Sequence, residues 1–253
     1  MSNEGNVCQV GKVRVHRSEV TSTNDLATQL LRHEDPPEGL VITTDFQQDG
    51  RGQLQHAWIS DPGKNILMSI IFYPTFLPVS KAFYLNKCFS LAIVETISLV
   101  TGLHAQVKWP NDIYVDDQKI SGILIQNALQ KDTINSSIVG IGLNINQTKF
   151  PSKLTKASSL SILCSRVFDR EEVLKTLCTC LSSSYERLMN NPAALDLEYE
   201  QRLYRKGSWS LYLDILQQPF SGKIECVEAD GRLKILTKTG EFKSFAHSEI
   251  SFV

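Results

Sequence analysis

Residues 1–206 combine two hydrophobic patterns, the spacing typical of amphipathic helices and the alternation or short apolar runs typical of strands. The helical spacing recurs in segments 22–34, 80–100, 170–190 and 193–204. The strand pattern recurs in segments 13–17, 40–46, 65–73, 105–109, 113–115, 119–126 and 137–146. Helices and strands are therefore both expected throughout this region.

Capping and turn residues predict where several of these elements begin and end. Ser22–Asn24 offer capping oxygens for a helix that Asp35-Pro36-Pro37 would stop. Gly102 is placed to end the longest helix in a left-handed conformation. Asp116-Asp117-Gln118 is a hairpin-type turn between two strands.

The pattern changes near Gly207, where short alternating strands take over. These strands are expected at 210–216, 222–228, 232–237 and 241–246. Ala229-Asp230-Gly231 and Thr239-Gly240 form the turns between them. The sequence thus predicts a large domain over residues 1–206 and a small all-β domain, most simply a compact barrel, over residues 207–253.

Composition narrows the classes of function. Hydrophobic residues make up 42% of the chain, charged residues 21%, and the formal net charge is −1, so no global basic field favours nucleic acid or an anionic membrane. No apolar stretch is expected to come close to the roughly 18 residues that a membrane-spanning helix needs. The start, MSNEGNVCQV, lacks the features of a secretory signal, and a cytoplasmic location is predicted.

Cysteine and histidine placement gives no metal or disulfide signature. None of the six cysteines forms a CxxC pair, and most lie in apolar patterns where cysteine acts as a small hydrophobe. The five histidines are scattered along the chain, so neither a metal cluster nor a catalytic triad is visible, and no metal ligand is assigned.

The segment VGIGLNIN (139–146) has two unlike faces if it is a strand. Alternation places the apolar residues on one face, and Gly140, Gly142, Asn144 and Asn146 on the other. Glycines within a strand let a ligand or another backbone come close. A bulge or close helix packing explains the glycines as well, whereas the asparagine amides favour a site that binds an adenine edge.

A second segment, QVKWPNDIYV (106–115), places a cation near a strand end. Alternation separates Lys108 from the apolar Val107 and Trp109, and Pro-Asn-Asp makes a turn. A lysine on a polar strand face is usually only solvated. Gly122, a further glycine within a strand, favours instead a groove beside Lys108.

The third segment, QQDGRGQLQHAW (47–58), is too polar for a core. Gly50 and Gly52 expose backbone N–H groups, Arg51 supplies a fork of donors suited to carboxylate or phosphate, and Trp58 could stack on a purine. The run matches neither the P-loop nor the dinucleotide fingerprint. A glycine-rich hairpin turn explains it as well when it is taken alone.

Taken together, these segments resemble the biotin–protein ligase family, in the family's order along the chain. The resemblance rests on Ser22-Thr23-Asn24, Gln47, GRGQLQHAW, KWPNDIYVDDQKISGILIQ, VGIGLNIN and the small C-terminal β domain. It implies an α/β (α+β) fold with a class II synthetase-like catalytic domain on a mixed sheet, followed by an SH3-like β-barrel. It also implies an enzyme that makes biotinyl-5′-AMP from biotin, ATP and Mg²⁺ and passes biotin to a lysine of a biotin carboxyl carrier protein domain.

The resemblance also assigns residues to roles. Lys108 and Arg51 are the expected catalytic cations, and Asp112 is a candidate proton acceptor for the incoming lysine. The expected nucleotide-binding residues are Trp58, Asn111 and Asn144. The expected biotin-binding residues are Ser22, Thr23, Asn24, Gln47, Arg51, Gly52, Gln53, Lys108 and Gly122. Lys108 and Arg51 from two separate segments should then converge over the glycine-lined sheet surface.

Two departures from the family pattern carry expectations of their own. Gln53 stands where many members have a second arginine, and a neutral amide predicts weaker phosphate contact and less firm retention of the adenylate. About 20 residues precede Ser22, too few for the winged-helix domain of repressor-type members, so a monofunctional ligase without operator binding is expected. Nothing in the residues decides between a monomer and a homo-oligomer.

Two alternatives remain open at this point. A lipoate or octanoyl ligase or transferase shares the catalytic fold, although KWPND and GRG are less typical of it. A non-catalytic biotin-binding regulatory module would keep the pocket and lose the adenylation residues. The presence of Lys108, Trp58 and Asn144 favours the enzyme.

Overall fold

The computed structural model describes residues 8–53 and 56–253, and its larger part is built on a mixed seven-stranded sheet. The strand order is β1-β2-β3-β7-β6-β5-β4; β1 pairs in parallel with β2, and the other neighbours are antiparallel. The strands are β1 (Arg14–Val20), β2 (Val41–Gln47), β3 (Ile66–Phe72), β4 (Ala105–Lys108), β5 (Asp112–Val115), β6 (Gln118–Gln130) and β7 (Thr133–Leu143).

Helices cover the two faces of this sheet unequally. The helices are α1 (Thr23–His33), α2 (Phe83–Thr101), α3 (Leu160–Cys164), α4 (Arg170–Asn190) and α5 (Pro192–Gln201). α2 and α4 pack on one face, against residues such as Met68 and Ile141. α1 packs on the other face, where Ala27 meets Ile71 and Ile138 in a smaller core. The rest of that second face is free to form a site.

α2 is a core helix with an unusually apolar composition. By length and composition alone, the segment Val79–Thr101 could cross a membrane, which corrects the expectation that no stretch approaches that length. In the fold, 67% of its most apolar window is buried. Lys87 within it is also buried, and its ammonium lies 2.6 Å from the Asp196 carboxylate of α5.

Four paired residues on neighbouring strands form one row across the second face of the sheet. Lys108 on β4 pairs with Asp112 on β5, Asp112 with Gly122 on β6, and Gly122 with Gly142 on β7. Paired residues on neighbouring strands share a face, about 4.8 Å apart. The row therefore runs from a cation, through a carboxylate, to two positions without side chains.

A second sheet of five antiparallel strands follows in the chain. Its order is β11-β10-β9-β8-β12, with β8 (Trp209–Asp214), β9 (Pro219–Val227), β10 (Leu233–Thr237), β11 (Phe242–Phe245) and β12 (Ile250–Phe252). The indole N–H of Trp109 donates to the Gly231 carbonyl at 2.9 Å, and this bond is buried. Trp109 therefore fastens the second sheet to the end of β4.

The observed elements follow the sequence pattern, with differences mainly at their ends. α4 spans Arg170–Asn190 as expected, and Gly102 ends α2 with a φ of 75°. The short α3 and β12 were not predicted, because few residues carry any periodicity in them. Ser22 is the N-cap residue of α1, but its side chain makes no capping hydrogen bond, so its predicted capping oxygen is not used that way.

Candidate active site

A cavity of about 200 Å³ opens on the sheet face that α1 leaves uncovered. The start of α1, the 47–58 loop, the β5–β6 hairpin and the glycines of β6 and β7 line it. A smaller cavity of about 70 Å³ adjoins it, and both are lined by Ala57, Trp58 and Lys119. Two compartments therefore meet at an aromatic ring and an ammonium group.

One end of the larger cavity is polar and tightly ordered. The Gln47 side-chain oxygen accepts hydrogen bonds from the Thr23 backbone N–H at 2.9 Å and the Thr23 hydroxyl at 3.1 Å. The Ser69 hydroxyl donates to the Thr23 oxygen at 2.7 Å. These bonds hold Gln47 with its amide oxygen occupied, so its NH₂ group is the part that can serve a ligand. Ser22 lines the same end.

Asn24 lies directly on Gly140. Its amide nitrogen donates to the Gln126 side-chain oxygen at 3.0 Å, and its oxygen accepts from Ser69 at 2.6 Å. A Cβ on Gly140 would stand 2.4 Å from that oxygen, so the glycine is required by the asparagine. Asn24 lines the cavity as predicted, with both ends of its amide engaged by the protein.

The 47–58 loop folds back on itself at the cavity mouth. Arg51 and Ala57 form an isolated antiparallel bridge, the Gly52 N–H donates to the His56 carbonyl at 2.7 Å, and Leu54 and Gln55 of the motif lie outside the described residues. The Arg51 guanidinium lies 3.1 Å from the Asp25 carboxylate and 3.3 Å from that of Asp49. Arg51 therefore stands on the rim, held between two acids.

Trp58 covers the glycine floor that the sequence pattern presents as bare. A Cβ on Gly142 would stand 2.3 Å from the indole, and a Cβ on Gly122 would stand 3.1 Å from it. These glycines thus admit a side chain of the protein itself. Among the described residues, no partner satisfies the buried Trp58 Nε1 or the buried side-chain oxygen of Gln53, which also lines the cavity.

The structure places Lys108 beside the cavity, paired with Asp112, and its catalytic role stays a prediction. Lys108 is not among the residues that line the cavity; its ammonium donates to the Tyr114 hydroxyl at 3.2 Å and lies 5.3 Å from the Phe252 ring centre. Lys119 lines both compartments instead, and its ammonium lies 2.6 Å from the Asp112 carboxylate. Arg51 and Lys119 are thus two cationic residues that line the larger cavity.

A β-bulge explains why alternation missed Lys119. Ile113 pairs with Ser121, but its neighbour Tyr114 pairs with Lys119, which leaves Ile120 as an extra residue in β6. Strict alternation would place Lys119 on the core face with Ser121. The bulge turns Ile120 into the core and Lys119 toward the cavity, while Asp112, predicted as a proton acceptor, lines the cavity as the partner of that lysine.

Three further asparagines singled out by the sequence have different surroundings. The Asn111 amide nitrogen donates to the Ile123 carbonyl at 2.7 Å, so this buried side chain closes the β5–β6 hairpin while lining the cavity. Asn146 exchanges hydrogen bonds with the backbone of Phe168 and is structural. Asn144 lines the smaller cavity and donates to the Ser158 carbonyl at 2.9 Å; its buried oxygen has no partner among the described residues.

His247, between β11 and β12, brings the second sheet into the cavity lining. Its ring packs edge-on against Trp109, with centroids 5.8 Å apart. Burial lowers the pKa of His247 below its usual 6.5, although the nearby Asp112 carboxylate opposes this shift. No signal in the sequence links this histidine to a site formed more than a hundred residues earlier.

Within residues 8–53 and 56–253, no group of three or more His, Cys, Asp or Glu side chains is arranged to hold a metal ion.

Comparison with known proteins decides the family. A family model described as the biotin/lipoate A/B protein ligase family matches residues 17–144, just over half of the chain. A bifunctional ligase/repressor BirA of Bacillus spizizenii is 30% identical over 241 residues, which are 94% of this chain and 73% of that protein. The chain belongs to the biotin/lipoate A/B protein ligase family. The resemblance inferred from its motifs is confirmed.

Two further members of the biotin/lipoate A/B protein ligase family align with most of the chain. The biotin–[acetyl-CoA-carboxylase] ligase of Mycobacterium tuberculosis is 26% identical over 175 residues, covering 68% of this chain and 63% of that protein. The biotin protein ligase of Aquifex aeolicus, solved with biotin and ATP, superposes with a TM-score of 0.79 at 27% identity, covering 95% of this chain and 98% of that chain. The predicted mixed α/β fold class is confirmed.

Proposed function

We propose that the chain is a biotin–protein ligase that joins biotin to ATP as biotinyl-5′-AMP and then transfers the biotinyl group to a lysine of a biotin carboxyl carrier protein domain. The observation that carries this function is the meeting of two compartments, one polar and one more apolar, at Trp58 and Lys119. A reaction that joins two small molecules needs such a junction. The Aquifex aeolicus ligase, which was solved with biotin and ATP, supports the same substrates.

The polar compartment suits the ureido ring of biotin. A cyclic urea presents one carbonyl acceptor and two N–H donors. The Ser22 hydroxyl and the Gln47 NH₂ group are donors for the carbonyl, while the backbone and hydroxyl of Thr23 are held in place by Gln47. Neutral partners suit a neutral head group, because no charge is buried without compensation.

Lys119 at the junction and Arg51 at the rim provide the positive charge that adenylation requires. Attack of a carboxylate on the α-phosphorus brings two anions together, and fixed cations lower the energy of that transition state. We assign to Lys119 the role that the family resemblance implies for Lys108. The acids that now hold Lys119 and Arg51, namely Asp112, Asp25 and Asp49, would be exchanged for substrate oxygens.

The smaller compartment suits adenine. Trp58 offers a ring for stacking, and the Asn144 oxygen, which has no partner among the described residues, is an acceptor for an exocyclic amino group. Its other walls include Phe150, Leu154 and Ala157, which exclude water from a purine. Mg²⁺ would enter on the ATP phosphates and offset their charge, so no dedicated protein cage is needed.

Biotin-dependent exchange of labelled pyrophosphate into ATP tests this function directly. We expect exchange with biotin and none with lipoate or octanoate, followed by labelling of a purified biotin carboxyl carrier domain. Exchange with lipoate alone would indicate a lipoate ligase, and binding of biotin without any exchange would indicate a regulatory module. With a net charge of −1, we expect no shift of operator DNA in a mobility assay.

A further inference from the structure

The transfer step needs a proton acceptor, and the cavity offers two candidates. When a neutral amine attacks an acyl carbon, its nitrogen becomes acidic as the new bond forms, and a base must remove one N–H proton. Asp112 and His247 are both cavity-lining groups that could receive it. Their surroundings differ in a way that decides between them.

Asp112 is already engaged by a cation. Its carboxylate lies 2.6 Å from the Lys119 ammonium, and the side chain is 21% exposed. One oxygen of this carboxylate is therefore occupied by the Lys119 ammonium. Its geometry fits the role of holding Lys119 at the junction of the two compartments.

His247 is held in the cavity wall by contacts that leave its own ring free of hydrogen bonds to the described residues. The turn that carries it is fixed by Glu249, whose carboxylate accepts from the Ala246 N–H at 2.6 Å and from the Arg232 guanidinium at 2.8 Å. Its ring packs against Trp109 in a T-shaped arrangement, and Trp109 is itself hydrogen-bonded to Gly231. The imidazole is thus positioned and still available to a substrate.

The surroundings of His247 have opposing effects on its protonated form. Burial and His56 oppose the charged form, while Asp112 on β5 stabilises it. Burial therefore favours the neutral form of the ring, which can accept a proton, and the nearby carboxylate offsets the charge once a proton arrives. Such a balance suits a group that must be a base in each turnover.

Resting on the proposed function, we propose that His247 is the proton acceptor of the transfer half-reaction. The acceptor lysine arrives as a free amine, having lost one proton to solvent. Its nitrogen bonds to the acyl carbon, a second N–H proton passes to the His247 imidazole, and the bond from the acyl carbon to the phosphate oxygen breaks. AMP leaves with that electron pair, and His247 returns its proton to water.

Single-turnover transfer from preformed enzyme-bound biotinyl-5′-AMP to a purified biotin carboxyl carrier domain tests the proposal, with pyrophosphate exchange measured in parallel. We expect His247→Gln to slow transfer about 10²-fold or more while exchange continues, since positioned bases contribute about 10²–10⁴-fold. Added imidazole should restore part of the transfer in His247→Ala. In the unmodified protein, the transfer rate should decrease as the pH drops below the lowered pKa of His247, because the protonated ring cannot accept a proton. The transfer rate of His247→Gln should not show this decrease.

His33→Gln, at the exposed end of α1, is the matched control and should transfer normally. Normal transfer by His247→Gln would overturn the proposal. Loss of transfer in Asp112→Asn together with a normal His247→Gln would assign the proton to Asp112 instead. Equal loss of exchange and transfer in His247→Gln would show that His247 has only a structural role in the cavity. Absence of exchange in the unmodified protein would refute the ligase function itself. This result can be told apart from a failure of the His247 proposal, in which exchange and transfer are both normal.

Discussion

The Lys119 ammonium lies 2.6 Å from the Asp112 carboxylate, on the cavity side of the β5–β6 hairpin. This ion pair holds a cation between two compartments in the protein without substrates. The same ammonium lies 5.6 Å from the centre of the Trp58 ring. Substrate oxygens that enter the junction find the cation already in place.

Replacing Lys119 by alanine should reduce biotin-dependent pyrophosphate exchange about 10²- to 10³-fold, the usual loss when one donor to a developing charge is removed. Lys108→Ala is the matched comparison, because Lys108 lies on the same sheet face but contacts Tyr114 and Phe252. It should retain most of the exchange activity. A greater loss in Lys108→Ala than in Lys119→Ala would return the catalytic role to Lys108.

Gly142→Ala should impair ATP use without unfolding the protein. The new methyl group would stand 2.3 Å from the Trp58 indole, so the ring must leave the glycine floor. We expect a raised KM for ATP, measured by pyrophosphate exchange, and a circular dichroism spectrum like that of the unmodified protein. An unchanged KM would show that the position of Trp58 is irrelevant to nucleotide binding.

Gln53→Arg should make the adenylate leave more slowly. Gln53 has a buried oxygen without a partner among the described residues and provides no charge to the phosphate. A hydrogen bond to a charged group contributes about 1.5–3 kcal/mol, which corresponds to roughly tenfold or more in retention. The half-life of labelled biotinyl-5′-AMP on the enzyme, followed by gel filtration, measures this. Equal half-lives would mean that residue 53 does not reach the phosphate.

Trp109→Phe should destabilise the protein by about 1–3 kcal/mol, the usual cost of leaving a buried acceptor unsatisfied. The lost partner is the Gly231 carbonyl. Urea unfolding measures the change. Trp209→Phe, at a half-exposed tryptophan on β8, is the control and should change stability little. Similar losses of stability in the two variants would show that the hydrogen bond from Trp109 to Gly231 does not account for the loss in Trp109→Phe.

Stability should fall in mildly acidic solution partly because of His247. Its pKa is lowered in the folded protein, so between that value and the usual 6.5 the unfolded chain binds more protons there. The free energy of unfolding must then decrease as pH falls through this window. Urea unfolding at pH about 7.5 and about 5.5 should show a smaller decrease for His247→Gln than for the unmodified protein. Equal decreases would contradict the lowered pKa.

The sequence was sufficient for most elements and for the glycine face of β7, because periodicity and strand alternation are local properties. Lys119 escaped because a single bulge reverses alternation in β6, and no residue type announces a bulge. His247 escaped because its place in the cavity depends on how the two sheets pack. The role of the glycines was half predicted: they do allow close approach, and the group that approaches is Trp58.

The bond between Trp109 and Gly231 has a practical meaning for anyone who wishes to shorten this enzyme. Gly231 also lies against Phe83, where a methyl group would be 2.5 Å from the ring. A truncation after residue 206 would uncover both aromatic rings to water and delete the histidine in the cavity wall. We expect the shortened chain to aggregate, so residues 1–206 should not suffice as a ligase on their own.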